Sequence, residues 1–311
     1  MKIAIIGASG KMGSWFAAFL HTQGHDLILI GRRPEAVEEV AAAMPGAMVG
    51  GYSDVREADL VLISVPLDAV ESVMSALGPH IRPNQAVIDV SSVKTAPQRA
   101  ADTHMPHACF LGVHPMFGPG ADGFRGHNVI LTPVGEAASA LAAKAKAYLE
   151  PFGAHIVCMN PQTHDEVMAV VLGLPALVVA LVARTALATG HFALAREVSG
   201  TSLEVLVSLT ESMLCEGSEL YGTLLAGLPD APDVAQRLEE SASHFRSLVE
   251  QGGRTAMIDE FAALGGELEK LDYRAADAYA RMYAMLEALK RFPSNPNASE
   301  AAGAPPPRAE C

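Results

Sequence analysis

The segment from residue 2 to residue 22 limits the fold of this chain more than any other. An apolar stretch, Lys2–Ile6, runs directly into glycine-rich residues, and a helical pattern follows from Ser14 to Thr22. In a strand–turn–helix unit of this kind, glycines let the backbone approach a pyrophosphate, and the free N–H groups at the helix N-terminus bind its charge. The sequence therefore predicts a dinucleotide-binding turn rather than a plain tight turn. The turn consists of Gly7, Ala8, Ser9, Gly10, Lys11, Met12 and Gly13.

The pattern continues over residues 1–160 as short apolar strands that alternate with helical segments. Most of these strands are apolar throughout, which is typical of strands covered on both faces of a sheet. We therefore predict an α/β fold with a Rossmann-type, doubly wound parallel sheet. The predicted strands are Lys2–Ile6, Asp26–Ile30, Leu60–Val65, Ala86–Val90, Phe110–Val113, Asn128–Thr132 and His155–Val157.

The rest of the chain lacks strand signals, and we predict an all-helical domain over residues 161–292. The run from Met168 to Leu187 is apolar on nearly every side, so it needs burial within a bundle or against a second subunit. We predict a homodimer joined through this domain. The most apolar part, Met168–Ala183, is shorter than the ~20 residues of a membrane-spanning helix, which favours a buried helix. Residues 293–311 are rich in Pro, Ala, Ser and Asn and are predicted to form a disordered tail.

Composition excludes several classes of partner. The 311 residues include 22 Lys and Arg against 35 Asp and Glu, a net charge of -13. Since no basic run is present, we expect the chain to bind neither nucleic acid nor a membrane surface. The four cysteines are scattered without a CxxC pair or metal-ligand spacing, which favours reduced thiols and argues against a disulfide or a structural metal. The N-terminus lacks a signal-peptide pattern, so we expect a cytoplasmic protein.

The end of the second predicted strand bears on which dinucleotide binds. It reads Ile30-Gly31-Arg32-Arg33, without the acidic residue that would hold a free ribose 2′-hydroxyl. Because planar guanidinium groups pair with phosphate oxygens, Arg32 and Arg33 favour NADP over NAD. The alternative is that one or both arginines are solvated loop residues. The third predicted strand ends at Ser64, Val65 and Pro66, which we expect beside the adenosine half of the cofactor.

Polar residues follow the next two predicted strands. The first segment is Asp89-Val90-Ser91-Ser92-Val93-Lys94, and the second is the proline- and glycine-rich turn His114-Pro115-Met116-Phe117-Gly118-Pro119. Because carboxyl ends of parallel strands meet at one edge of a sheet, we expect both segments near the nicotinamide. An imidazole has a pKa of about 6.5, which makes His114 a candidate general base. The alternative is a loop histidine that only caps its strand.

Four further side chains or backbone positions complete the predicted site. Ser92 is expected to orient a substrate hydroxyl, and Lys94 either to attract a carboxylate or to hold the loop in place. Met116 and Gly118, in the same turn as His114, are expected to line the substrate. No metal ligand is predicted.

Three motifs carry a resemblance to a known family. The combination of GxxGxMG, D-x-x-S-V-K and HPMFGP resembles the prephenate and arogenate dehydrogenases of tyrosine biosynthesis, and Thr163–Ala169 is similar to the H-D-x-x-M-A opening of their helical domain. The resemblance implies a Rossmann domain followed by a helical dimerisation domain. It also implies oxidative decarboxylation of a cyclohexadiene acid, in which His114 removes the proton of the ring hydroxyl and Ser92 hydrogen-bonds that hydroxyl and His114.

The chain departs from the family at two substrate-binding positions. Ala176 stands where a histidine is usual, and Ser212 stands where an arginine holds a substrate carboxylate. Alternatives therefore stay open: an analogue such as 4-amino-4-deoxyprephenate as substrate, a deazaflavin-dependent NADP reductase, or a catalytically silent cofactor-binding module. Four arginines could supply the missing charge, although each is expected at the surface or at a helix end: Arg125, Arg184, Arg196 and Arg246.

Overall fold

The computed structural model describes residues 1–215 and 218–291. Its centre is an eight-stranded sheet with the strand order β3-β2-β1-β4-β5-β6-β7-β8. All neighbouring strands are parallel except β6 and β7, which are antiparallel. The strands are β1 (Lys2–Ile6), β2 (Asp26–Ile30), β3 (Met48–Val49), β4 (Leu60–Ile63), β5 (Ala86–Asp89), β6 (Cys109–Pro115), β7 (Asn128–Thr132) and β8 (His155–Cys158).

Every predicted strand is present, and the predicted fold class is confirmed. Two details were wrong. The exposed two-residue strand β3 was missed because it is too short to show a pattern, and the sheet is not parallel throughout. Strand β7 follows β6 through the loop 116–127 with no crossover helix, so the chain reverses direction there.

Helices cover both faces of the sheet, as the wholly apolar strands predicted. On one face, Ile3 and Ile5 of β1 join a core that includes Phe16 and Leu20. On the other face, Ala4 and Ile6 pack in a second core. The helices of this half are α1 (Lys11–Thr22), α2 (Pro34–Ala42), α3 (Val70–Leu77), α4 (Thr95–His104) and α5 (Gly135–Leu149), with short 3-10 helices at Tyr52–Glu57, Leu67–Ala69, Gly78–His80 and Glu150–Phe152.

The described residues after 160 are helical, as predicted. Two π-helical turns, Ala169–Gly173 and Leu248–Gly252, and a 3-10 helix at Tyr273–Asp277 interrupt or join the α-helices. The α-helices are α6 (Pro161–Met168), α7 (Leu174–Ala188), α8 (Phe192–Glu197), α9 (Thr201–Cys215), α10 (Ser218–Gly227), α11 (Ala231–Ser247), α12 (Gly253–Leu271) and α13 (Ala278–Leu289).

Helices α6 and α7 form one continuous helix, Pro161–Ala188, through the first π-helical turn. Pro175 explains that turn, because proline lacks the N–H that an α-helix would donate to the carbonyl of Val171. The helix has 28 residues, a mean hydropathy of 2.4 in its most apolar window and 28% of that window buried, so by length and composition alone it could cross a membrane. Within the single chain the helix is therefore mostly unburied, and its burial against a second subunit stays a prediction. One such helix is weak evidence for a membrane span, because apolar helices of other proteins pass the same test.

The chain divides into two compact units. The first contains Met1–Ala176 together with Ser218–Ala235, and the second contains the described residues of 177–217 and 236–311. In the first unit, α10 and the start of α11 pack against the sheet half through Leu224, Leu228 and Ala231. The predicted boundary at residue 160 differs from this division and stays a prediction of where the two domains meet. The predicted tail, 293–311, lies outside the described residues.

Candidate active site

The glycine turn between β1 and α1 is shaped by its own backbone. Gly7 has a left-handed φ of +84°, and a Cβ at this position would collide with the carbonyl oxygen of Ser64. A Cβ at Gly13 would likewise collide with the carbonyl oxygen of Gly7. Gly10 has more room, since its nearest neighbour would be the Gly7 oxygen at 3.2 Å. Gly7 and Gly13 are therefore required by the fold, whereas Gly10 leaves open backbone beside the helix.

The N-terminus of α1 fits an anionic ligand. Gly10 caps the helix without a side-chain hydrogen bond, so the first N–H groups of α1 stay available. The turn is held beside β2 and β4, because the N–H groups of Gly7 and Ala8 donate to the carbonyl of Ile30 at 2.8 and 3.1 Å, and Ser64 donates to Ile6 at 2.8 Å. Lys11 is exposed at the rim of the turn, and Ser9 and Met12 are half-buried. This geometry is compatible with the cradle that the sequence predicted for a pyrophosphate, and the binding role of these residues stays a prediction.

Three more predicted cofactor residues and two arginines lie at the same edge of the sheet. Ser64, Val65 and Pro66 follow the end of β4, next to Gly7. Arg32 and Arg33 follow β2, are exposed, and form no ion pair with any residue of the described chain. Arg33 stands at the N-cap position of α2 and makes no side-chain hydrogen bond to the helix.

Lys94 is wholly buried and serves the loop after β5. Its Nζ lies 2.6 Å from Oδ2 of Asp89 and 3.0 Å from the carbonyl of Asp89, and Ser91 donates to the same Oδ2 at 2.7 Å. Burial lowers the pKa of Lys94, and the charge of Asp89 opposes that shift. The lysine stem crosses β6 at Gly112, where a Cβ would collide with it. Of the two predicted roles, the geometry fits holding the loop in place, since the ammonium group is directed to Asp89.

His114 lies in a strand and not in a turn, which corrects the expectation for its motif. It pairs with Ile130 in the antiparallel β6–β7 ladder, and the turn begins only at Met116. Its side chain is buried, and its Nδ1 lies 2.9 Å from Nε2 of His164. The strand therefore fixes the ring from the backbone side, and His164 fixes it from the other.

A carboxylate completes this chain of hydrogen bonds. Nδ1 of His164 lies 2.7 Å from Oδ1 of Asp165, and the same carboxylate accepts the backbone N–H groups of Lys94 at 2.8 Å and Thr95 at 2.9 Å. Those N–H groups open helix α4, so Asp165 of α6 caps it. Asn160 in turn caps α6 by accepting the N–H of Thr163 at 2.8 Å, which starts the helix where His164 and Asp165 enter its first turns.

The charges around His114 favour its neutral form. Burial, the charge of Lys94 and the neighbouring His164 lower the pKa of His114 well below its ordinary value, and only Asp165 opposes them. For Asp165, burial acts to raise the pKa, but the hydrogen bonds from His164, Lys94 and Thr95 outweigh burial and lower it. The site thus holds a neutral imidazole and an ionised carboxylate at neutral pH.

The other predicted site residues are less engaged. Ser92 is half-buried in the loop after β5, and its hydroxyl has no hydrogen bond with a residue of the described ranges, His114 included. Met116 packs into the core near Val93, and Gly118 is exposed with open space around it.

An aromatic cluster packs the loop after β6 against helix α1. The ring of Phe117 lies 5.0 Å from that of Trp15 on α1 and 5.5 Å from that of Phe124. The indole Nε1 of Trp15 donates to the carbonyl of Ala121 at 2.7 Å. Helix α1 and the loop that follows His114 are therefore packed as one body.

Sequence reasoning left His164 and Asp165 out of the site. Both were read only as part of the motif that opens the helical half. The signal that could have found them is an adjacent histidine and aspartate ahead of an apolar run, since buried charged residues need partners.

At the two departures from the family pattern, Ala176 is buried, and Ser212 donates its hydroxyl to the carbonyl of Leu209 at 2.9 Å. Arg196, one of the arginines considered as a substitute clamp, is paired with Glu204 at 3.0 Å and Glu211 at 3.9 Å.

The described cysteines and metal-ligating side chains form no cluster. Within residues 1–215 and 218–291, Cys109, Cys158 and Cys215 are unpaired and no group of three or more metal-ligating side chains occurs. Cys311 lies outside the described residues.

Comparison with known proteins identifies similar sequences. Residues 16–158 match the family model described as "Prephenate dehydrogenase, nucleotide-binding domain". The chain is 24% identical over 299 residues to a probable arogenate/prephenate dehydrogenase of Methanocaldococcus jannaschii, a match that covers 88% of this chain and 67% of that protein. It is 33% identical over 129 residues to a cyclohexadienyl dehydrogenase of Zymomonas mobilis, covering 39% of this chain and 44% of that protein.

Solved structures share the fold. The arogenate dehydrogenase of Synechocystis superposes with a TM-score of 0.71 at 23% identity, covering 88% of this chain and 100% of that one. The prephenate dehydrogenase of A. aeolicus, solved with hydroxyphenyl propionate and NAD+, superposes with a TM-score of 0.72 at 20% identity, covering 88% of this chain and 98% of that one.

Proposed function

We propose that this chain catalyses the NAD(P)-linked oxidative decarboxylation of a prephenate-type cyclohexadiene acid. It resembles the prephenate and arogenate dehydrogenases, a family of nucleotide-dependent oxidoreductases, as its motifs predicted. Prephenate and arogenate are the proposed substrates. The proposal places the protein in tyrosine biosynthesis in the cytoplasm, with a small cyclic carboxylic acid as its ligand.

The observation that carries this proposal is the state of His114. Its ring is buried, its pKa is depressed, and its Nδ1 is engaged by His164. Nε2 has no hydrogen-bond partner among the described residues, so a lone pair is available there for a substrate proton. A neutral, oriented imidazole is what a general base requires.

The residues at the carboxyl edge of the sheet supply the rest of the chemistry. The glycine turn and the N-terminus of α1 would hold the dinucleotide, whose nicotinamide accepts a hydride when bound. His114 takes the proton of the ring hydroxyl as hydride leaves the ring carbon, and the ring carboxylate then departs as carbon dioxide. Aromatisation makes these steps favourable, so the protein contributes mainly orientation and a base.

A substrate analogue is a second candidate, for one specific reason. Ala176 is buried and has no polar side chain, where the family has a histidine, and Ser212 bonds its own helix. An acid that differs from prephenate where those residues bind, such as 4-amino-4-deoxyprephenate, would be handled by the same His114 chemistry.

We propose NADP as the preferred cofactor. Arg32 and Arg33 are exposed, unpaired within the described chain and adjacent to the glycine turn. Two such guanidinium groups suit a 2′-phosphate, because each can form paired hydrogen bonds with its oxygens.

We also propose that two copies of the chain associate through the helical unit. Helix α12 exposes Phe261, Leu264, Leu268 and Leu271, which are three or four residues apart and therefore lie on one face. Exposed apolar faces of this extent mark interaction sites. A second copy is the occupant that fits, since homo-oligomers pair the same patch on both subunits.

A turnover assay tests the proposed function. The purified protein is mixed with NADP or NAD and separately with prephenate, arogenate and 4-amino-4-deoxyprephenate, and reduced cofactor and product are followed by absorbance and mass spectrometry. We expect turnover of at least one acid, lost in His114→Asn and kept in His155→Asn, an exposed histidine on β8. Tight cofactor binding without turnover of any of these acids would contradict the proposal and favour a binding module.

A further inference from the structure

We infer that His164 and Asp165 complete the base, so that the proton accepted by His114 leads to a positive charge on His164, beside Asp165. In this arrangement His114 receives the substrate proton at Nε2 and passes its Nδ1 proton to Nε2 of His164. The inference rests on the proposed function for the identity of the proton donor, but the hydrogen-bond chain stands on its own geometry.

The donor and acceptor roles in the chain follow from Asp165. Its carboxylate accepts two backbone N–H groups from the start of α4, which leaves it an acceptor toward His164 as well. Nδ1 of His164, 2.7 Å away, must therefore carry the proton of that hydrogen bond. A neutral His164 then has a bare Nε2, which accepts from Nδ1–H of His114 at 2.9 Å. The tautomer of His114 is thereby set, with Nε2 free to act as the base.

The surrounding charges explain why a relay is needed. An imidazolium at His114 would be buried near the ammonium group of Lys94, which together with burial disfavours it. Asp89 partly balances Lys94, to which it is paired at 2.6 Å, and Asp165 is the only carboxylate that favours the charged form of His114. Moving the charge to His164 brings it into direct contact with that carboxylate. The ion pair between His164 and Asp165 thus stabilises the proton that His114 alone would hold weakly.

The transfer balances without another reactant. The O–H bond of the substrate breaks as an N–H bond forms at Nε2 of His114. The Nδ1–H bond of His114 breaks as one forms at Nε2 of His164, which becomes an imidazolium paired with Asp165. After carbon dioxide leaves, the reverse transfer returns the proton to the phenolate oxygen.

Two variants separate a relay from a structural role. His164→Gln keeps a side chain that can accept from His114 but cannot be protonated, and Asp165→Asn keeps the shape of the acceptor but removes its charge. We expect each to lower kcat by about a hundredfold, the scale of general-base catalysis, with KM changed less than about threefold. A plot of kcat against the deuterium fraction of the solvent should be curved for the wild type, because two protons move. The same plot should be linear for His164→Gln, in which one proton moves. Positioning alone would not change that curvature.

Nitrogen NMR of the histidine rings tests the chain without a substrate. The His114 signal, assigned by its loss in His114→Asn, should show a proton on Nδ1 and none on Nε2 at neutral pH. A proton on Nε2, or a His164→Gln enzyme whose pH profile and isotope-effect curve match the wild type, would overturn the relay. Since the tautomer is read without turnover, failure of every acid tested would count against the proposed function alone.

Discussion

Lys94 and Asp89 form a fully buried ion pair, with 2.6 Å between Nζ and Oδ2, in the loop that follows β5. Leaving a buried carboxylate without its partner lowers the free energy of unfolding strongly, whereas an exposed ion pair contributes little to it. We expect Lys94→Met to lower the free energy of unfolding by about 3 to 5 kcal/mol, measured by urea denaturation. The matched control is Lys2→Met, which breaks the exposed pair with Glu57 in the same unit and should cost less than about 1 kcal/mol. Equal losses in the two variants would show that the buried pair has no special role.

The pH dependence of stability should report the burial of His114. Its pKa is well below 6.5 in the folded protein and about normal when unfolded, so between those values the unfolded chain binds more protons. The contribution of His114 to the free energy of unfolding is therefore fully present above pH 6.5 and is lost as the pH falls from 6.5 toward the lowered pKa. We expect His114→Asn to flatten the decline in the free energy of unfolding below pH 6.5. An unchanged slope in the variant would mean that His114 titrates normally in the fold.

The glycine turn offers a way to separate folding from cofactor binding. A Cβ at Gly13 would collide with the Gly7 carbonyl, so Gly13→Ala should destabilise the free protein by about 1 to 3 kcal/mol. Gly10 has more room than Gly13, since a Cβ there would lie 3.2 Å from the Gly7 oxygen, and Gly10→Ala should cost less than about 1 kcal/mol while the added methyl blocks the approach of the pyrophosphate. Thermal unfolding without ligand and titration with NADP measure the two effects. Wild-type affinity for NADP in Gly10→Ala would place the cofactor elsewhere.

The two arginines after β2 should affect NADP and NAD differently. We expect the double change Arg32→Ala and Arg33→Ala to weaken NADP binding at least about tenfold, since each charged hydrogen bond is worth about 1.5 to 3 kcal/mol. NAD affinity should change little, because NAD lacks the 2′-phosphate. The fluorescence of Trp15, the one tryptophan of the chain, can follow binding because it lies on α1 close to the turn. Equal effects on both dinucleotides, or NADP affinity that holds, would refute the phosphate contact.

The apolar face of α12 should determine the oligomeric state. Replacing Phe261 and Leu268 by Lys puts charge on that exposed face and should convert a dimer to a monomer in light scattering. Glu269→Lys, exposed on the same helix, changes the net charge equally and should leave the dimer intact. A wild-type protein that is monomeric at micromolar concentration would contradict the proposed dimer.

Local patterns were enough to predict much of the sheet and the glycine turn. Strands β1, β2 and β7 have the predicted bounds, because a short apolar run between turn residues has few other solutions. The direction of β7 was not predictable in this way. It depends on whether the preceding connection crosses the sheet or turns back, and the loop 116–127 carries no pattern that distinguishes the two.

By itself the sequence determined the fold class and predicted both a dinucleotide turn and His114 as a candidate base, since each depends on residues close together in the chain. Only the tertiary structure decided which side chains hold the His114 ring. The 2.9 Å contact between His114 and His164 joins residues 50 positions apart, on a strand and on a helix. It likewise decided that Lys94 turns inward to Asp89, because the burial of a charge depends on what packs around it, and no single stretch of sequence contains that information.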